Sequence, residues 1–166
     1  MNLADNPAKG ALRPRLAEVG DFGAWFNRLD GVWHLTREAS DGSHFSGTAS
    51  FSRLGEAKYL LHETGTMKLA GGENLPATRD WIWFLTDRGE IEIRYPDEAG
   101  GKLYHRFRPE RVDGVQGDAW RGMADHHCGA DLYRGTYCLS AGSIEIVHHV
   151  TGPAKDYRLA ARLERP

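Results

Sequence analysis

Gly31-Val32-Trp33-His34-Leu35-Thr36-Arg37-Glu38-Ala39-Ser40-Asp41-Gly42 is the stretch that decides the fold. From Val32 to Ala39 the residues alternate, with Trp33, Leu35 and Arg37 on one face. A period of two is the mark of a β-strand. Asp41-Gly42 then supplies a two-residue hairpin signal. Upstream the period differs. Phe22, Trp25, Phe26 and Leu29 fall at i, i+3, i+4 and i+7, which predicts one apolar stripe on a short helix. Asp21 is placed to cap it, and Gly31 to end it in a left-handed turn.

Downstream the alternation recurs. Segments are expected at 44–53, 58–67, 78–86, 90–95 and 103–108, with a weaker one at 112–116. Three more follow at 126–139, 143–151 and 157–164. Asp87-Arg88-Gly89, Pro96-Asp97 and Gly152-Pro153-Ala154-Lys155-Asp156 read as turns. Strands in consecutive hairpin order after one helix predict a mainly β fold. It is a single antiparallel up-and-down β-barrel over residues 21–166, with the short helix closing one end. A β-sandwich is the competing architecture. Residues 1–20 are polar, contain Pro7 and Pro14, lack a period and read as a flexible tail.

Composition narrows the function classes. The chain has 166 residues, with five Trp, six Tyr and six Phe, enough to bury a core. A formal charge of −2 offers no bulk attraction to nucleic acid or to an anionic membrane. No apolar run is long enough to span a bilayer as a helix. The N-terminus lacks a secretory pattern. Cys128 and Cys138 read as two reduced thiols, so a cytoplasmic location is expected. A monomer or homodimer is expected, with no cofactor.

The helix followed by Gly31-Val32-Trp33 resembles the Gly-x-Trp signature of lipocalins. That resemblance implies an Arg near the chain end packed against Trp33, with Arg158 or Arg162 available. A second resemblance covers nearly the whole chain after residue 21. Gly31-x-Trp33-x-Leu35-x-Arg37, Gly47-x-Ala49-x-Phe51 and Glu63-x-Gly65 are similar to a bacterial family catalogued as a domain of unknown function, DUF6314. Tyr104-His105, Cys128-x-x-Asp131-x-Tyr133 and Gly152-Pro153-x-Lys155-Asp156-Tyr157 fit the same pattern. The resemblance implies a lipocalin-like (calycin) barrel and no activity. His148 departs from it, because an aromatic residue is expected there.

Alternation also assigns faces. Tyr59, Leu61 and Glu63 are expected inward. Ile91, Ile93 and Tyr95 oppose Glu90, Glu92 and Arg94. Leu103, His105 and Phe107 oppose Tyr104, Arg106 and Arg108. Ile144, Ile146, His148 and Val150 share a face. Arg79, Trp81 and Trp83 compete with Ile82 and Phe84. Arg37, Glu63, Arg79 and His105 would then be ionisable groups inside the barrel. Charges in a dry core must pair, hydrate or bind something, so a cavity is expected.

Two arginines against one glutamate favour a small anionic ligand, such as a carboxylate. Its binding residues are expected to be Trp33, Arg37, Glu63, Arg79, Trp81, Trp83, His105, Tyr133, His148 and Tyr157. An alternative is an isomerase, cyclase or lyase using His105 with Glu63, Asp131 or Tyr133 as acid and base. A metal or haem site built from His126, His127, Cys128, His148 and His149 is a further alternative. Adjacent strand residues point to opposite faces, so these pairs do not chelate together, and no metal ligand is assigned. The opposing plain reading is that Arg37 and Glu63 form only a structural pair.

Overall fold

In the computed structural model the described residues are 16–97, 101–114 and 117–166. Of the flexible tail expected over residues 1–20, residues 1–15 lie outside them, and residues 16–20 belong to a helix instead. Of the weak strand expected at 112–116, residues 115–116 lie outside them, and residues 112–114 form no strand but lead into a turn. One helix, α1 (Leu16–Phe26), precedes eleven strands. They are β1 (Gly31–Ala39), β2 (His44–Gly55), β3 (Lys58–Lys68), β4 (Asn74–Leu85), β5 (Ile91–Arg94) and β6 (Leu103–Phe107). β7 (Glu110–Arg111), β8 (Ala119–Cys128), β9 (Asp131–Ser140), β10 (Ser143–Gly152) and β11 (Lys155–Glu164) follow. All belong to one antiparallel sheet in the order β6-β5-β4-β3-β2-β1-β11-β10-β9-β8-β7. The expected up-and-down barrel with a leading helix is the fold the chain adopts.

Several boundaries differ from the sequence reading. The helix begins at Leu16, so Asp21 lies inside it and caps nothing. The segment expected at 126–139 is two strands, β8 and β9, joined at Gly129-Ala130. Gly129 has φ of 62°, and glycine at the first central position is a hairpin signature. β4 starts at Asn74 and so includes Pro76. The strand accepts it because β5 pairs with β4 only from Ile82 to Leu85, leaving the proline on an edge that needs no N–H.

The ladder closes β1 on β11, with Leu35 opposite Leu163. Its two free ends meet without a ladder, along a seam where β6 faces β8 and β9. Glycines make the fit possible. A Cβ on Gly122 would stand 2.0 Å from the Phe107 ring, and one on Gly135 would stand 2.6 Å from the His105 ring. Replacing strand ladder by ring-on-glycine packing lets the seam close with side chains alone.

The helix end of the barrel is solid. Phe22, Trp25, Phe26 and Leu29 are buried with Trp33, Phe51, Tyr59 and Trp120. Trp25 Nε1 donates to the Ser140 carbonyl at 2.7 Å, which ties the helix to β9. Trp33 Nε1 donates to the Leu29 carbonyl at 3.0 Å, so both indoles are hydrogen-bonded as well as buried. The cation over Trp33 is neither Arg158 nor Arg162 but Arg165, with its guanidinium carbon 4.1 Å from the ring centroid. Arg158 and Arg162 sit on the outward face of β11, where Arg162 pairs with Glu145 and Glu164.

Candidate functional site

Arg37 leaves β1 toward the barrel interior, two residues beyond Leu35. Its Nη2 donates to both carboxylate oxygens of Glu63 on β3, at 2.9 Å each. Arg79, opposite Glu63 on β4, adds Nε and Nη2 contacts to the same carboxylate at 3.2 Å. Glu63 is 4% exposed. Burial and the neighbouring Arg79 charge push the Arg37 guanidinium below its ordinary value, and the Glu63 carboxylate opposes that shift. The alternation that places Tyr59 and Leu61 inward places Glu63 there too, as the sequence predicts.

These groups stand on the wall of a cavity of about 120 Å³ at the end of the barrel opposite the helix. Trp81, Trp83, Tyr104, Tyr133, Tyr137, His148 and Tyr157 line it with Leu61, Ile93, Ile146, Val150, Leu159 and Ala161. A second hollow of about 220 Å³ adjoins it, sharing Arg37, Tyr157 and Leu159 and opening between the β1–β2 turn and Met67. The competition on β4 is resolved in favour of the tryptophans: Trp81 and Trp83 are buried, while Phe84 is exposed.

The structure brings together Arg37, Glu63, Arg79, Trp81, Trp83, Tyr133, His148 and Tyr157. It does not bring Trp33, His105 or Asp131 to the cavity. Trp33 belongs to the helix-capped end. Asp131 pairs with Lys155 at 2.6 Å, and that lysine donates to the Tyr133 hydroxyl at 2.9 Å. His105 is wholly buried behind the cavity wall. Its Nε2–H donates to the Tyr133 carbonyl at 3.1 Å, which makes Nδ1 the acceptor for the Tyr137 hydroxyl at 2.5 Å. Burial lowers its pKa to about 4, so it is neutral and fully engaged.

Tyr104 and Tyr137 were missed as lining residues. Tyr104 was expected outward, by alternation from His105. On β5 Ile93 pairs with His105 and the next residue, Arg94, pairs with Leu103, so Tyr104 is one residue in excess. A bulge of this kind turns two successive side chains toward one face. Tyr104 therefore stacks on His105 at 4.1 Å and packs on Trp81 at 4.9 Å. Glu92 was expected to face water, yet it is 5% exposed beneath Arg94 and Arg106, which hold its carboxyl below the ordinary value against the opposing effect of burial.

His148 has a different standing from His105. It lines the cavity, and its Nε2 is buried without a hydrogen-bond partner. Burial, His105 and the two cavity arginines lower its pKa to about 3, so its imidazole is neutral. Among the described residues no three His, Cys, Asp or Glu side chains converge to hold a metal ion. No helix of the described chain is long and apolar enough to cross a membrane.

Fold and site together define a small antiparallel β-barrel, plugged by a helix at one end and holding a polar, aromatic-walled cavity at the other. The chain belongs to DUF6314, a family of unknown function, whose model matches residues 29–165. No curated protein matches it. Among solved structures it is similar to a redesigned β-barrel, mFAP0, bound to DFHBI, at 16% identity and a TM-score of 0.46. That likeness covers 83% of this chain and 99% of the other. It is also similar to EF1p2_mFAP2b bound to DFHBI, at 14% identity and a TM-score of 0.48, over 87% of this chain and 98% of the other.

Proposed function

We propose that the barrel binds a small monoanionic molecule, with its carboxylate at Arg37 and Arg79. One observation carries this reading. Two guanidinium groups share one carboxylate, leaving a net positive charge on the cavity wall. Nη1 and Nε of Arg37, and Nη1 of Arg79, donate to no described residue. A guanidinium carries five N–H donors, and those turned to a sheltered cavity gain from a charged acceptor. The same two-to-one arrangement at Glu92, Arg94 and Arg106 lies away from the cavity, whereas Arg37, Glu63 and Arg79 stand on its wall.

Calorimetric titration with benzoate, benzamide and benzylamine tests it. Benzoate is expected to bind, with benzamide about tenfold weaker because it lacks the charge, and benzylamine not at all. Arg79→Met keeps the apolar stem and is expected to weaken benzoate to the level of benzamide. Benzamide binding as tightly as benzoate overturns the reading.

Two further readings accompany it. Cys128 and Cys138 are free and exposed, which supports a reducing, cytoplasmic location. The Arg165–Trp33 stack supports kinship with lipocalin-like barrels.

A further inference from the structure

The cavity has a second polar feature, distinct from its arginines. His148 lines the same space, and its Nε2 is buried with no hydrogen-bond partner. A buried polar atom left unpaired is costly, and native structures reserve such atoms for water or ligand. His148 stands on β10 opposite Leu159 of β11, while Arg37 on β1 lies opposite Ala161 of the same strand. The histidine is thus two strands from Arg37 and offset along the sheet, away from the guanidinium pair. Between them the wall is apolar: Leu159 and Ala161 of β11 and Ile146 of β10.

We infer that the ligand is a single-ring aromatic acid carrying a neutral hydroxyl, with its carboxylate at Arg37 and Arg79 and its hydroxyl at His148. This rests on the anion reading above and specifies its substrate class. Size supports one ring against the aromatic wall: that hollow, of about 120 Å³, is on the scale of an engineered apolar cavity of about 150 Å³ that takes benzene, and the adjoining hollow at Arg37 leaves room for the carboxylate. The tryptophan and tyrosine faces suit a flat, polarisable body. The groups facing His148 from neighbouring elements decide the second substituent. His105 is stacked at 5.5 Å, Tyr104 lies at 5.9 Å and Tyr137 at 6.2 Å, and none carries a negative charge. Burial and the two arginines keep the imidazole itself uncharged. A neutral imidazole offers no ion pair to a second carboxylate but bonds a hydroxyl well.

Titration of benzoate, its three monohydroxy isomers and terephthalate tests this, on the wild-type chain and on His148→Phe and His148→Gln. At least one hydroxybenzoate is expected to bind about tenfold more tightly than benzoate. Taken as the ratio of hydroxybenzoate to benzoate affinity within each variant, that gain is expected to vanish in His148→Phe and to return in part in His148→Gln. Terephthalate is expected to bind more weakly than the best hydroxybenzoate. A hydroxyl gain that persists in His148→Phe overturns the assignment of His148. Benzoate binding with no gain for any isomer overturns the hydroxyl while leaving the anion reading intact. No benzoate binding at all removes the anion reading, and this inference with it.

Discussion

Arg165, the penultimate residue, lays its guanidinium over the indole of Trp33, at the start of the first strand. Its Nη1 donates to the Asp30 carbonyl at 2.9 Å and its Nη2 to the Arg28 carbonyl. One side chain therefore joins the chain's last strand, its first strand and the link from the helix. Arg165→Ala is expected to lower stability by about 1–2 kcal/mol, from the lost cation–π contact and the charged hydrogen bonds. Urea denaturation followed by tryptophan fluorescence measures it. Arg162→Ala, which removes only exposed pairs, is expected to leave stability nearly unchanged. Equal effects would remove the special role given to Arg165.

Glu63 is the sole described carboxylate on the cavity wall, and two arginines lean on it. Glu63→Ala leaves Arg37, with an 11% exposed side chain, without its counter-charge. Breaking such a pair from one side costs about 3–5 kcal/mol. The variant is also expected to recover part of that loss in benzoate, which replaces the missing charge. Thermal denaturation with and without benzoate reads both effects, and a Glu63→Ala protein as stable as wild type contradicts the geometry.

Three histidines make stability depend on pH: the wholly buried His105 and the half-buried His148 and His126, all held below the ordinary value chiefly by burial. The folded values of His105 and His148 are about 4 and about 3, against an ordinary 6.5. Between about pH 6.5 and 4 the unfolded chain binds more protons than the folded one. Stability is therefore full above 6.5 and falls as the pH drops through that window, by up to about 1.4 kcal/mol per pH unit for each histidine. Asp41, Asp125 and Glu92, all held below their ordinary values, act in the same direction but only nearer pH 4. Urea denaturation at pH 7, 6 and 5 isolates the histidines. The slope over that range is expected to fall in His148→Phe, with His105 and His126 supplying what remains, and an unchanged slope would show that His148 titrates normally.

The seam offers a steric test. In Gly135→Ala the new methyl would meet His105 Cε1 at 2.6 Å and Nδ1 at 2.9 Å, pressing on the bond to Tyr137. Overpacking of this kind costs about 1–3 kcal/mol. Gly142→Ala, where nothing lies within 4 Å, serves as the control and is expected to shift stability little. Differential scanning calorimetry of the two variants decides it. A Gly135→Ala melting temperature equal to the control would mean that the ring can move aside.

Much of the site was legible as pattern. On β3, Tyr59, Leu61 and Glu63 point inward because a single apolar face enforces the register of the whole strand. Arg37 follows from Trp33 and Leu35 in the same way. The turn at Gly129 also had a signal, a glycine between two alternating runs, but the flanking histidines and tyrosines blurred the end of one run and the start of the next.

Other features have no local signature. A bulge is a mismatch between two strands, so the inward turn of Tyr104 depends on where Ile93 and Arg94 find their partners. The burial of Glu92 depends on Arg106, which reaches it from the neighbouring strand. The choice of Arg165 over Arg158 and Arg162 depends on where the last strand ends beside the first. The alternating sequence by itself determined the barrel, its helix plug and the inward Arg37–Glu63 pair, because strand periodicity is a property of neighbours along the chain. Only the tertiary structure decided that His105 is sealed behind Tyr104 and bonded to Tyr137 while His148 faces the cavity unpaired. Both are histidines on apolar strand faces, and what separates them is which side chains the curled sheet brings across the lumen.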